Sequence, residues 1–257
     1  MSLARIGCLL LGLTLGNTLF ANPRIEVLGA VPSPGEKEIV EGLRLGDLMG
    51  QLRIDPLSYW FGASWQRDSL KQEQQRLKAG VLFDLIQLQR LAMLQNEPGM
   101  ANAARQLNEQ VARLPVTGRR LYRLDPLAVE LSAAHSPKLQ GGDRLIFPPR
   151  PDSIRVTGAV SNDCKLSFAP LQQAYRYAQH CPALAEADPD YLYLIQPDGQ
   201  VSRLGIALWN REDAEPPAPG AIVLIPLDAG RVQSIAPDLN QELARFFATQ
   251  PLPMGSP

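Results

Sequence analysis

The chain has 257 residues, of which 45% are apolar and 20% charged, with a formal charge of −1. That length supports two small cores better than one large one. The balanced charge excludes a general nucleic-acid binder and gives no long-range steering of charged partners.

Residues 1–21 read as a secretory signal. Arg5 supplies the positive start, Ile6 to Leu15 an apolar run, and Ala21 a small residue at the cut. The run falls short of the ~20 residues needed to span a bilayer. Cys8 precedes most of it and so is not a lipidation site, and no later segment is apolar enough to span. The mature chain is therefore expected to be exported and soluble.

A strand-like run follows from Arg24 to Val31, then a turn, a second strand from Glu36 to Val40 and a helix near Leu45 to Leu52. Next comes an aromatic cluster, Tyr59, Trp60, Phe61 and Trp65. Such rings serve either as core or as platforms for sugar faces. Leu70, Leu77, Val81, Leu85, Leu88 and Ala92 then form a stripe at helical spacing, and Met100, Ala104, Leu107, Val111 and Leu114 a second one. Pro98-Gly99 separates them, which predicts an antiparallel helical hairpin buried against itself and its parent module.

Where this hairpin rejoins the module stands Thr117-Gly118-Arg119-Arg120. Gly118 permits an unusual backbone angle. A guanidinium at such a junction either grips a carboxylate or phosphate, or ties the hairpin to the sheet through backbone carbonyls. A weak strand pair is expected at Arg120 to Leu124 and Leu127 to Leu131, turning at Asp125-Pro126. Gly142 to Pro148 closes the unit as a strand.

The same order then returns. Val27-Leu28-Gly29-Ala30-Val31 reappears as Val156-Thr157-Gly158-Ala159-Val160, and the Gly142 segment reappears at Gly220 to Pro226. One module is therefore written twice. Gly29 and Gly142 are 113 positions apart and Gly158 and Gly220 are 62 apart, so the first copy carries about 51 additional residues. The second copy shows strands at Ser153 to Val160 and Lys165 to Phe168, and a helix from Pro170 to His180. A hairpin follows, Tyr191 to Ile195 and Val201 to Leu208 around Pro197-Asp198-Gly199. Trp209-Asn210-Arg211 ends it, with Trp209 open to the same two readings as the earlier aromatics.

This order predicts an α+β protein of two tandem β-grasp domains, each a sheet curled over one helix. The expected divisions are residues 22–150, with the helical insert at about 62–115, and residues 151–230, followed by an amphipathic helix at 234–250. That last helix carries Leu239, Leu243, Phe246 and Phe247 on one face, which packs inward or docks on a membrane or protein. The tail from Pro251 to Pro257 is expected to be disordered.

Nucleophile elbows, phosphate loops, dinucleotide fingerprints and zinc-type spacings do not occur in the sequence, so neither cofactor nor metal is expected. His135 and His180 stand alone as candidate polar groups, and Glu212 and Asp213 form a local acidic pair in a Pro-rich loop. Cys164 and Cys181 form a disulfide or, in the competing reading, supply a reactive or metal-binding thiol. An exported chain favours the bond, worth ~3 kcal/mol for such a loop.

Tyr59-Trp60, Thr117-Gly118-Arg119, Gly142-Asp143-Arg144-Leu145 and Ala207-Leu208-Trp209-Asn210-Arg211, with Pro217-Ala218-Pro219-Gly220 after them, resemble the GfcC family of capsule-biosynthesis proteins. The Gly-Ala-Val and Gly-Asp pieces are shared with the wider soluble-ligand-binding β-grasp (SLBB) group, polysaccharide export proteins included. The resemblance implies a periplasmic, non-enzymatic accessory of extracellular polysaccharide synthesis or export, with glycan or the outer-membrane export machinery as partner. It also implies a pocket at Arg119, to which the reading of the junction and of the aromatics adds Thr117, Arg120, Tyr59, Trp60 and Trp209 as candidate contacts. The rival expectation is a polysaccharide-modifying enzyme with carboxylates around an Arg119 cleft.

Overall fold

Ile25 and Val27 point inward between outward Arg24 and Glu26, and this alternation makes β1 (Arg24–Gly29) a half-buried strand. The outward charges find partners across the sheet, Arg24 on Glu36 and Glu38 and Glu26 on Arg144. The computed structural model describes residues 22–254 apart from 53, 55–57, 133 and 135. The signal segment and His135 lie outside the described residues.

After β1 come β2 (Gly35–Glu38), α1 (Leu45–Leu52), β3 (Ser64–Gln66), α2 (Lys71–Leu94), α3 (Pro98–Arg113), β4 (Arg119–Arg120), α4 (Pro126–Leu131) and β5 (Arg144–Phe147). The second copy holds β6 (Ser153–Gly158), β7 (Cys164–Ser167), α5 (Ala174–Gln179), β8 (Tyr191–Ile195), β9 (Val201–Gly205) and β10 (Ile222–Ile225). Then follow α6 (Ala229–Val232) and α7 (Leu239–Ala248). The two sheets run β2-β1-β5-β3-β4 and β7-β6-β10-β8-β9, the same order twice. In each, the first and last strands pair in parallel and every other pairing is antiparallel. The protein is α+β with two tandem domains.

The repeated glycines serve this parallel pair. Gly29 and Gly158 have positive φ, at 90° and 107°. A Cβ there would collide with the carbonyl oxygen of Phe147 or Ile225, the last residue of the paired strand. Those carbonyls accept from Ala30 N–H at 2.7 Å and Ala159 N–H at 2.8 Å. A bare Cα lets the chain turn over its neighbour and close that bond.

Two expectations for the first copy change. Leu127 to Leu131 is the helix α4, because the Asp125 side chain accepts from the N–H groups of Leu127 and Ala128 and Pro126 fits the first helical turn. The partner of β4 is β3, with Trp65 opposite Arg120 and Gln66 opposite Arg119. The helical hairpin therefore stands where the second copy has the tight turn between β8 and β9. In that copy α5 starts at Ala174, later than Pro170 suggested.

The two hairpin helices bury their stripes against each other as expected, but the other surface they cover is that of the second domain. Val81, Leu85, Leu88, Met100, Leu107 and Val111 share one continuous cluster with Ile154, Val156, Leu192 and Phe246 of the second copy and its terminal helix. The first domain keeps a separate core in which Leu45 and Leu48 of α1 meet Val27, Trp65, Leu145 and Phe147. Gln106 and Gln110 extend the join by donating to Val160 O at 3.0 Å and Thr157 Oγ1 at 2.7 Å. An element inserted in one domain thus completes the core of the other.

The terminal helix faces inward. Leu239, Leu243, Phe246 and Phe247 of α7 are each at most 1% exposed, so none of the four is available for membrane or partner docking. The described part of the tail, expected to be free, packs on the two domains. Leu252 fills the space above Gly62 and Gly220, and Gln250 Nε2 donates to Pro115 O at 3.2 Å. Among the described residues no helix is long and apolar enough to cross a membrane.

Candidate functional site

The helix α3 ends at Arg113, and the chain reaches β4 through a fixed corner. Gly118 is left-handed at φ 70°, and its N–H donates to Gln74 Oε1 at 2.8 Å. Gln74 Nε2 returns to Arg119 O at 2.7 Å, and Arg119 N–H donates to Thr117 Oγ1 at 3.0 Å. Thr117 Oγ1 then donates to Thr249 O at 2.8 Å. Hairpin, strand and terminal helix meet at this corner.

Arg119 extends from it into the interior and is 4% exposed. Nη1 donates to Ala248 O at 3.2 Å and Gln250 O at 2.9 Å, and Nη2 to Pro197 O. Nε is buried without a partner. Burial pushes the guanidinium down to about 10, an effect that nearby Asp198 opposes, so it stays charged at neutral pH. Three carbonyls from the C-terminal segment and the β8–β9 turn share this one cation.

Beside Arg119 opens a cavity of about 420 Å3 between the domains. The link Pro149–Ser153, the second sheet and the tail Gln250–Pro253 wall it. Its cations are Arg119, Arg150, Arg155 and Lys165, and the lone carboxylate among its lining residues is Asp152. The volume lies within the ~300–1,000 Å3 of small-molecule sites. Among the described residues no group of three His, Cys, Asp or Glu side chains is placed to hold a metal ion.

Of the residues expected at the site, Arg119 alone lines this cavity. Tyr59 stands behind the wall. Its hydroxyl donates to Pro219 O at 2.8 Å, its ring carries the Arg150 guanidinium at 5.6 Å, and burial raises its pKa. Thr117 is spent on the corner. Arg120 lies over the Trp65 ring at 4.6 Å, and Trp60 carries Arg123 at 5.3 Å. Trp209 is on another surface, 70% exposed, with Nε1 donating to Asp190 Oδ1 at 3.2 Å and Tyr191 edge-on at 6.4 Å. His180 is exposed, with Nδ1 2.6 Å from Arg176 O. Cys164 and Cys181 are bonded, their Cα atoms 6.0 Å apart, and tie β7 to the end of α5.

Arg150, Arg155 and Lys165 line the cavity without belonging to any motif of the sequence. A signal existed for Arg155: it interrupts Ile154 and Val156, both buried, and is the charged residue on the strand face it shares with Ser153 and Thr157.

The family model described as "Capsule biosynthesis GfcC, N-terminal" matches residues 30–150, and "Capsule biosynthesis GfcC C-terminal" matches residues 163–251. The "Uncharacterized protein YjbG" of Escherichia coli (strain K12) is 30% identical over 238 residues, covering 92% of this chain and 94% of that protein.

Proposed function

We propose, from the premise that this chain belongs to the GfcC capsule-biosynthesis family, that it is a non-enzymatic periplasmic accessory of polysaccharide assembly or export which holds glycan in the Arg119 cavity. The observation that carries this reading is the cavity itself. It is concave, lined by proline and aliphatic surface, and holds four cationic side chains on a chain of formal charge −1. Apolar walls with a few placed polar groups suit a saccharide, whose ring offers both carbon faces and acceptors.

A binding role is favoured over hydrolysis by the lining. Two-carboxylate glycosidase chemistry needs a facing acid and base about 5–9.5 Å apart, and Asp152 stands alone in the wall. The location draws support from the signal-like residues 1–21 and from the Cys164–Cys181 bond, a chemistry of oxidising compartments.

Incubation with purified extracellular polysaccharide of the source organism tests the reading. The polymer should co-elute with the protein and keep its size distribution over time. Progressive shortening, or release of substituents, would replace the accessory by a glycan-modifying enzyme. Failure to co-elute would remove the glycan from the cavity.

A further inference from the structure

The floor of the cavity is a single row across the second sheet. Lys165 of β7 stands opposite Arg155 of β6, Arg155 is in register with Ile222 of β10, and Ile222 is opposite Ile195 of β8. Residues in register project to the same face, and all four line the cavity. The row is cationic at one end and aliphatic at the other.

The cationic end is unusual as architecture. Like charges directly opposite on neighbouring strands destabilise a sheet. Arg155 is largely buried, which lowers its pKa, and its Nε has no partner. Asp163 favours its charge from a distance but makes no ion pair with it, since the Asp163 oxygens accept from Thr157 Oγ1 at 2.6 Å and Gln110 Nε2 at 2.9 Å. The Arg155 guanidinium rests over the Phe247 ring at 5.6 Å, and among the described residues it has no hydrogen-bond partner. Arg150 stacks on Tyr59 and has no ion pair among the described residues. Among the described residues Arg150, Arg155 and Lys165 make no ion pair, and all three line one cavity next to apolar carbon. Arg119, by contrast, already spends both Nη atoms on carbonyls.

We propose that this cavity takes the carboxylate of an acidic sugar residue, held by Arg155 between Arg150 and Lys165, with the sugar ring lying on Ile222 and Ile195. The proposal deepens the saccharide reading above and rests on it. A guanidinium edge matches a carboxylate in two parallel hydrogen bonds, and a ligand anion would sit directly on the in-register Arg155–Lys165 pair, which Asp163 favours only without an ion pair.

Calorimetric titration of the full mature chain with an oligosaccharide of uronic acid residues, against a neutral glucose oligosaccharide of equal length and inorganic phosphate, decides it. The acidic oligosaccharide should bind about tenfold or more tightly than the neutral one, and its affinity should fall as salt rises. Arg155→Gln should lose that preference while its melting temperature stays level or rises, because a lone cation is removed from a like-charged pair. Lys165→Gln, at the exposed end of the row, should lose part of it. Equal affinity for acidic and neutral sugars, or an unchanged preference in Arg155→Gln, overturns the proposal and leaves the saccharide reading standing. Binding of neither sugar overturns both. Phosphate binding as tightly as the acidic oligosaccharide would mean that the site reads charge without the ring, which also overturns it.

Discussion

Arg119 shows how one side chain serves as architecture and as cavity wall together. Its position was legible, because a Thr-Gly-Arg corner after a helical hairpin marks a junction. Its partners were not, since Ala248, Gln250 and Pro197 lie far along the chain and offer only backbone carbonyls, which carry no sequence signature. Removing the guanidinium leaves those carbonyls unpaired inside the protein. Arg119→Ala should therefore lower the unfolding free energy by about 2–4 kcal/mol, read from urea midpoints. Arg119→Lys should recover little, because its single nitrogen cannot reach carbonyls arranged around two separate Nη atoms. Unchanged midpoints in both variants would mean the carbonyls do not depend on this cation.

Among the elements, the long helices were the clearest in the sequence. The stripes of α2 and α3 and the apolar face of α7 were all legible, because helical spacing persists over many residues. What covers those faces was not, since spacing reports that a face is buried and not by what. The Asp125-Pro126 pair suits a turn in sequence, although the same residues cap a helix as readily as they bend a hairpin. The three-residue strand β3 was too short to show alternation. At the contact of α2 with α7, Asp84 and Glu242 have raised pKa values, through burial first and then through neighbouring carboxylates, with Asp238 acting on both. A carboxyl raised in the folded state contributes stability that is present below its unfolded pKa and lost as pH rises through the folded one. Glu242→Gln should thus melt higher than the parent at pH 7, with the gap closing towards pH ~4 as the parent carboxyls take up protons. A variant that melts lower at pH 7 would show that Glu242 is stabilised by its place in the first turn of α7 and not strained by its neighbours.

For the whole molecule, duplication provides two sheets of one topology, and the differences between the copies build the site. The hairpin that replaces a tight turn in the first copy fills the core of the second. The tail after α7 returns to the seam, where Arg119 holds Gln250 and Leu252 covers Gly62 and Gly220. The repeat and the insert were readable from recurring glycine segments and their spacing. The cavity was not, because it arises where residues of the link, the second sheet and the tail meet, and no local pattern announces such a meeting.

The central claim is that this seam holds a saccharide, and side-chain methyl resonances report on it directly. Titration of the methyl-labelled protein with a uronic acid oligosaccharide should shift Ile195, Ile222 and Leu252 together while leaving Leu208, on the separate Trp209 surface, in place. Shifts confined to Leu208 and its neighbours, or no shifts at all, would contradict the account.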